Sequence, residues 1–92
     1  MFRDLINYYQ ETKVEKEDDK QVITAVIPGK KKGDFDIDVS GRELTISVGD
    51  FSRWYGLSER TDTSKITAEY DAGILRINLP YKERHKKKIE VT

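Results

Sequence analysis

Alternation with a period of two is the feature that most narrows what this chain can become. In Asp34-Phe35-Asp36-Ile37-Asp38-Val39 every second residue is apolar and every residue between is a carboxylate. An extended backbone sends successive side chains to opposite faces, so Phe35, Ile37 and Val39 share one face and the acids share the other. The same period returns in Leu44, Ile46 and Val48, in Phe51, Arg53, Tyr55 and Leu57, in Ile66, Ala68 and Tyr70, and in Leu75, Ile77 and Leu79 up to Pro80. Upstream, Val22-Ile23-Thr24-Ala25-Val26-Ile27 is rich in β-branched residues and stops at Pro28-Gly29, a strand cut by a turn. Ser40-Gly41-Arg42-Glu43 and Gly49-Asp50 are links short enough for antiparallel hairpins, and Asp71-Ala72-Gly73 is a further turn. Residues 58–65 are polar and looped. Seven to eight short strands with no long helical pattern predict an all-β fold, an immunoglobulin-like antiparallel β-sandwich.

Composition bounds what such a sandwich does. Its 92 residues form a single domain, and 17 Lys and Arg against 17 Asp and Glu leave a net charge of zero. No global field then draws it to nucleic acid or an anionic membrane, so its binding must be local. The absence of cysteine removes disulfides, a thiol nucleophile and any Cys-based zinc site. With no long apolar run and no signal-peptide pattern, the expected address is cytoplasmic.

Nothing in the chain assembles a catalytic constellation. His85 is the only histidine and stands inside a lysine run, where solvation is a better account than catalysis or ligation. Asp36 and Asp38 share a solvent face with no opposing group, which suits solubility and edge protection. Lys30-Lys31-Lys32 and Lys86-Lys87-Lys88 lack interleaved aromatics, and Gly29 and Gly33 bracket lysines without a following helix, so neither a nucleic-acid patch nor a phosphate loop is indicated. The expectation is therefore no enzyme, no cofactor and no metal.

The ends differ from the body. Phe2, Leu5, Ile6 and Tyr9 recur at spacings of three and four, one greasy face of a helix barely two turns long. At the other end the charged segment 81–88 precedes Ile89-Glu90-Val91, an extended tripeptide with two β-branched residues on one face. The expected organisation is an arm over 1–13, a sandwich over 14–80 and an extension over 81–92.

The order of these segments is similar to that of the small heat-shock proteins. Ile27-Pro28-Gly29 followed by Asp34-Phe35-Asp36-Ile37-Asp38-Val39 resembles the family's leucine-proline-glycine turn and the aspartate-led strand behind it. Leu44-Thr45-Ile46 and Phe51-Ser52-Arg53-Trp54-Tyr55-Gly56-Leu57 match the strands that follow. Ala68-Glu69-Tyr70-Asp71-Ala72-Gly73-Ile74-Leu75 resembles the signature of an alanine, then a glycine, an aliphatic and leucine, closed here by Leu79-Pro80. Ser58 and Ala72 depart from the family's usual proline and asparagine, and Lys30 from a commonly apolar position. The resemblance implies an alpha-crystallin domain acting as an ATP-independent holdase that keeps partly unfolded proteins from aggregating.

It also implies site residues. Ile89 and Val91 match the C-terminal motif that docks into a neighbouring subunit's groove, here formed by Phe35, Ile37 and Val39 with Ile66, Ala68 and Tyr70. Packing of that tripeptide on the chain's own sandwich is the alternative. Phe2, Leu5, Ile6 and Tyr9 would contact clients, or else belong to a disordered or core-packed terminus. Bacterial and plant relatives insert a long loop, used for a strand-swapped dimer, where this chain has only Gly49-Asp50. A two-fold contact must then use a strand edge, as in animal relatives, with Phe51, Arg53 and Tyr55 at the contact and an acid near Arg53; otherwise Arg53 snorkels to the rim. Partners are thus unfolded clients and further copies of the chain in a homo-oligomer, with no nucleic acid and no membrane span. Two other classes remain open: a CS-domain-like co-chaperone or interaction module without holdase activity, and a basic-tailed nucleic-acid binder.

Overall fold

The computed structural model describes residues 12–83 and 89–92. Among them are seven strands in two antiparallel sheets. One sheet runs β1 (Thr12–Lys16), β2 (Lys20–Val26), β7 (Ile74–Pro80), β6 (Thr67–Asp71), and the other β3 (Asp36–Ser40), β4 (Glu43–Val48), β5 (Phe51–Gly56). No helix among the described residues is long and apolar enough to cross a membrane.

The alternating residues meet between the sheets. Ile23 and Ala25 of β2 and Leu75, Ile77 and Leu79 of β7 pack with Leu44, Ile46 and Val48 of β4 and Phe51 of β5 into one buried cluster. The central strands supply nearly all of it, because only they are covered on both flanks. Ile46 and Ile77 are 0% exposed, and truncating such a side chain to alanine costs about 2–5 kcal/mol.

Two of the hairpins follow from turn chemistry. Gly49, at φ +57°, takes the first central position of the β4–β5 turn, where a positive φ matches the strand twist. The β6–β7 turn has positive φ at both central residues, Ala72 (+51°) and Gly73 (+81°). Alanine is an uncommon choice there, because its Cβ crowds the backbone in the left-handed region. That turn packs on the one after β2: the Ile27 N–H donates to the Gly73 carbonyl at 2.8 Å, and a Cβ on Gly73 would meet Pro28 Cα at 3.3 Å.

The alternation carries no sign of β1. Its sequence TKVEK has a single apolar residue, and it forms a strand because β2 offers a complete row of partners from Gln21 to Ala25. The expected boundary at residue 13 therefore falls inside β1. At the other end Tyr81 and Lys82, expected to open a solvated segment, are held by the sandwich. The Tyr81 N–H donates to Asp19 and the Lys82 N–H to Arg60, at 2.9 and 2.6 Å. The Arg60 guanidinium lies 4.5 Å from the Tyr81 ring centroid.

The long loop between β5 and β6 is fastened by Arg42, which donates to the carbonyls of Ser58 and Thr61 at 3.2 and 2.9 Å. Within it the Ser64 hydroxyl and N–H both donate to Asp62, holding that carboxyl below the usual carboxylate range.

Candidate functional site

Among the described residues each sheet ends in two strands with one partner only, and the sandwich brings these open edges together on two flanks. On the first flank lie β3 and β6. Which backbone groups they leave open follows from the turns. The hairpin turn closes on a hydrogen-bonded pair, Ser40 with Glu43 and Asp71 with Ile74, and bonded and non-bonded pairs alternate from there. Asp36, Asp38 and Ser40 therefore bond inward to β4, and Thr67, Glu69 and Asp71 to β7. The outward-pointing N–H and C=O groups belong to Ile37 and Val39 on β3 and to Ala68 and Tyr70 on β6. These are the same residues whose side chains face between the sheets.

The result is an open cleft of about 280 Å³ lined by Phe35, Ile37, Ala68, Tyr70 and Leu75, with Lys32 and Glu69 at its lip. One wall is rigid. The Phe35 and Tyr70 rings pack with centroids 4.7 Å apart, and the Tyr70 hydroxyl donates to the Ile27 carbonyl at 2.6 Å while accepting from the Lys30 N–H at 3.3 Å. That hydroxyl couples the cleft wall to the turn after β2.

Four of the six residues expected to form a groove thus line it. Ile66 packs instead against the core, and Val39 stands at the surface beyond the cleft. Leu75 was missing from the expectation because its alternation with Ile77 and Leu79 marks it only as core, whereas its place between β2 and β6 makes it the cleft floor. Lys32 carries no pattern at all; a 3-10 turn, Lys32–Asp34, brings it to the lip.

The opposite flank is formed by β1 and β5. The Arg53 guanidinium donates to the Thr12 hydroxyl, tying the two sheets together there. Phe51 is buried and Tyr55 is half-buried against the core, so of the residues expected at a dimer contact only Arg53 is fully exposed in the single chain. Trp54, which no pattern singled out, is 65% exposed on the outer face of β5.

Ile89 and Val91 are 78% and 97% exposed and belong to no strand. Phe2, Leu5, Ile6, Tyr9 and His85 lie outside the described residues. Among the described residues no group of three or more His, Cys, Asp or Glu side chains is placed to hold a metal ion.

Comparison with known proteins gives this geometry a context. Residues 44–92 match the model of the Hsp20/alpha crystallin family. The chain is 28% identical to an 18 kDa heat shock protein of Streptomyces albus G, an alignment covering 79% of this chain and 65% of that protein. It is 30% identical to the 18 kDa antigen 2 of Mycobacterium avium, over 79% of this chain and 67% of that one. The chain thus spans about two thirds of the length of these relatives. In structure it is similar to a small heat-shock protein from Xylella fastidiosa, with a TM-score of 0.77 at 21% identity, covering 90% of this chain and 95% of the other. Heat shock protein 16.0 from Schizosaccharomyces pombe matches with a TM-score of 0.74 at 24% identity, covering 91% and 83%.

Proposed function

The chain belongs to the Hsp20/alpha crystallin family of small heat-shock proteins, and on that premise we propose that it is an ATP-independent holdase of the cytoplasm that captures partly unfolded proteins. The observation that carries the reading is the cleft between β3 and β6. There, unused backbone groups and an apolar floor coincide at the same residues, so an extended apolar segment gains main-chain hydrogen bonds and side-chain burial at once. No cofactor is needed, because capture is a mass-action competition with aggregation.

Two self-contacts accompany this activity. Ile89 and Val91 of one subunit enter the cleft of another as an added strand, covering it while clients are scarce. The edge of β5 pairs antiparallel with its own copy, with Arg53 and the flanking Phe51 and Tyr55 at the contact. Phe2, Leu5, Ile6 and Tyr9 supply further apolar surface for clients.

The test is suppression of heat-induced aggregation of a model client without nucleotide. Light scattering of the client should fall as chaperone is added. A several-fold subunit excess with no suppression excludes the holdase.

A further inference from the structure

The register of the β5 contact can be deduced from the backbone, an inference that rests on the edge-pairing reading above. The β4–β5 turn closes on the hydrogen-bonded pair Val48 and Phe51, so Phe51, Arg53 and Tyr55 bond inward to β4. The next residue in that series, Leu57, indeed donates its N–H to the Arg42 carbonyl at 2.8 Å. The open N–H and C=O groups are therefore those of Ser52, Trp54 and Gly56.

The side chains beside those groups set β5 apart from the other three edges. On β1 the ion pair Lys13–Glu15 (2.9 Å) lies along the outer face. On β3 that face carries Asp36 and Asp38, and on β6 Glu69 and Asp71. Charges of this kind protect an edge, and like charges directly opposite in a self-paired strand repel. The outer face of β5 carries Ser52, Trp54 and Gly56, with no charge. Its one ion is Arg53, on the inner face.

Residues opposite one another in an antiparallel pair share a face, so the two-fold axis must pass through a residue of β5. Only two choices use nearly its whole length. An axis at Arg53 sets two guanidiniums in apposition, and Arg53 has a neutral hydroxyl, Thr12, as its partner here. We propose that the axis passes through Trp54. The two indoles then lie opposite each other on the outer face, and each Ser52 lies opposite the partner's Gly56, where no side chain crowds them. A Cβ built on Gly56 meets nothing within 4 Å in the single chain. On the inner face Arg53 lies opposite the partner's Tyr55, setting a cation beside an aromatic ring.

Because the chain has no cysteine, single-cysteine variants of the full chain read the register directly. Hydrogen-bonded pairs lie about 5.5 Å apart at Cα, within disulfide reach. Ser52→Cys chains mixed with Gly56→Cys chains, allowed to exchange and mildly oxidised, should form the mixed disulfide. Cross-linking instead between Ser52→Cys and Trp54→Cys places the axis at Arg53 and overturns the register while leaving the β5 contact in place. No cross-link in either mixture overturns both. A second readout leaves the strand unaltered: emission of the single tryptophan should shift to the red as the protein is diluted through dimer dissociation. A Trp54→Ser change should raise the dissociation constant about tenfold or more. An unchanged constant rejects the central place of Trp54.

Discussion

The two flanks of the sandwich are built from the same parts and invite different guests. On the β3–β6 flank the residues with open backbone groups are the ones whose side chains face inward, so the edge opens onto an apolar cleft. On β5 the register is shifted by one residue. Its open groups belong to Ser52, Trp54 and Gly56, whose side chains face outward, while Phe51 and Tyr55 are committed to the core. The first edge suits a segment with alternating apolar side chains. The second suits a flat, uncharged strand, and a second copy of β5 is such a strand. Turn phase, one residue either way, therefore sets which face of an edge strand carries its open backbone groups.

Filling the cleft should have the largest effect. Ala68 is exposed within it, so Ala68→Trp blocks docking without disturbing the core. On the proposed docking, each subunit then loses the burial of Ile89 and Val91, worth several kcal/mol. Native mass spectrometry should show large oligomers collapsing to dimers, as it should for the double change of Ile89 and Val91 to alanine. An undiminished mass separates the cleft from assembly.

A charge on the bare edge tests the other flank. Ser52→Lys places a cation among the open groups of β5 and should weaken the dimer by about 2 kcal/mol through desolvation. Tail docking should persist, measured as binding of a peptide bearing the Ile-Glu-Val tip. If Ser52→Lys abolishes peptide binding as well, the two flanks are not independent.

Removing the Tyr70 hydroxyl should cost about 1 kcal/mol of stability by leaving the buried side of the Ile27 carbonyl unpaired. Urea unfolding of Tyr70→Phe reports this. Because the ring that packs on Phe35 remains, oligomer mass should be retained, and a loss of assembly would make the hydroxyl itself part of the docking site. The smallest effect is a gain. Ala72→Gly relieves the left-handed strain at φ +51° and should raise stability by about 0.5–1 kcal/mol, with both edges unchanged.

Much of this architecture is legible in the sequence, since period-two alternation specifies a face at every position of β3, β4 and β7. Glycines at the turns, with the short links Gly41-Arg42 and Gly49-Asp50, specify the hairpins and with them the phase of the open groups. That Phe35, Ile37, Ala68 and Tyr70 share one groove came only from the resemblance to the small heat-shock proteins, since no local pattern sets β3 beside β6. β1 escaped because its only apolar residue, Val14, makes no pattern, and its strand depends on a partner row in β2. Arg42 escaped because the loop it fastens becomes its neighbour only once β5 has turned back.

Local pattern, then, determined the strands other than β1, their inward faces and their turns, because those depend on residues within a few positions of one another. The pairing of β2 with β7, which joins segments far apart in the chain, was decided by tertiary structure alone. From it follow the two sheets, the choice of β1, β3, β5 and β6 as edges, the role of Leu75 as the cleft floor and the exposure of Trp54. No periodicity carries that information, since which strand covers which is settled by competition among long-range contacts for the same buried surface.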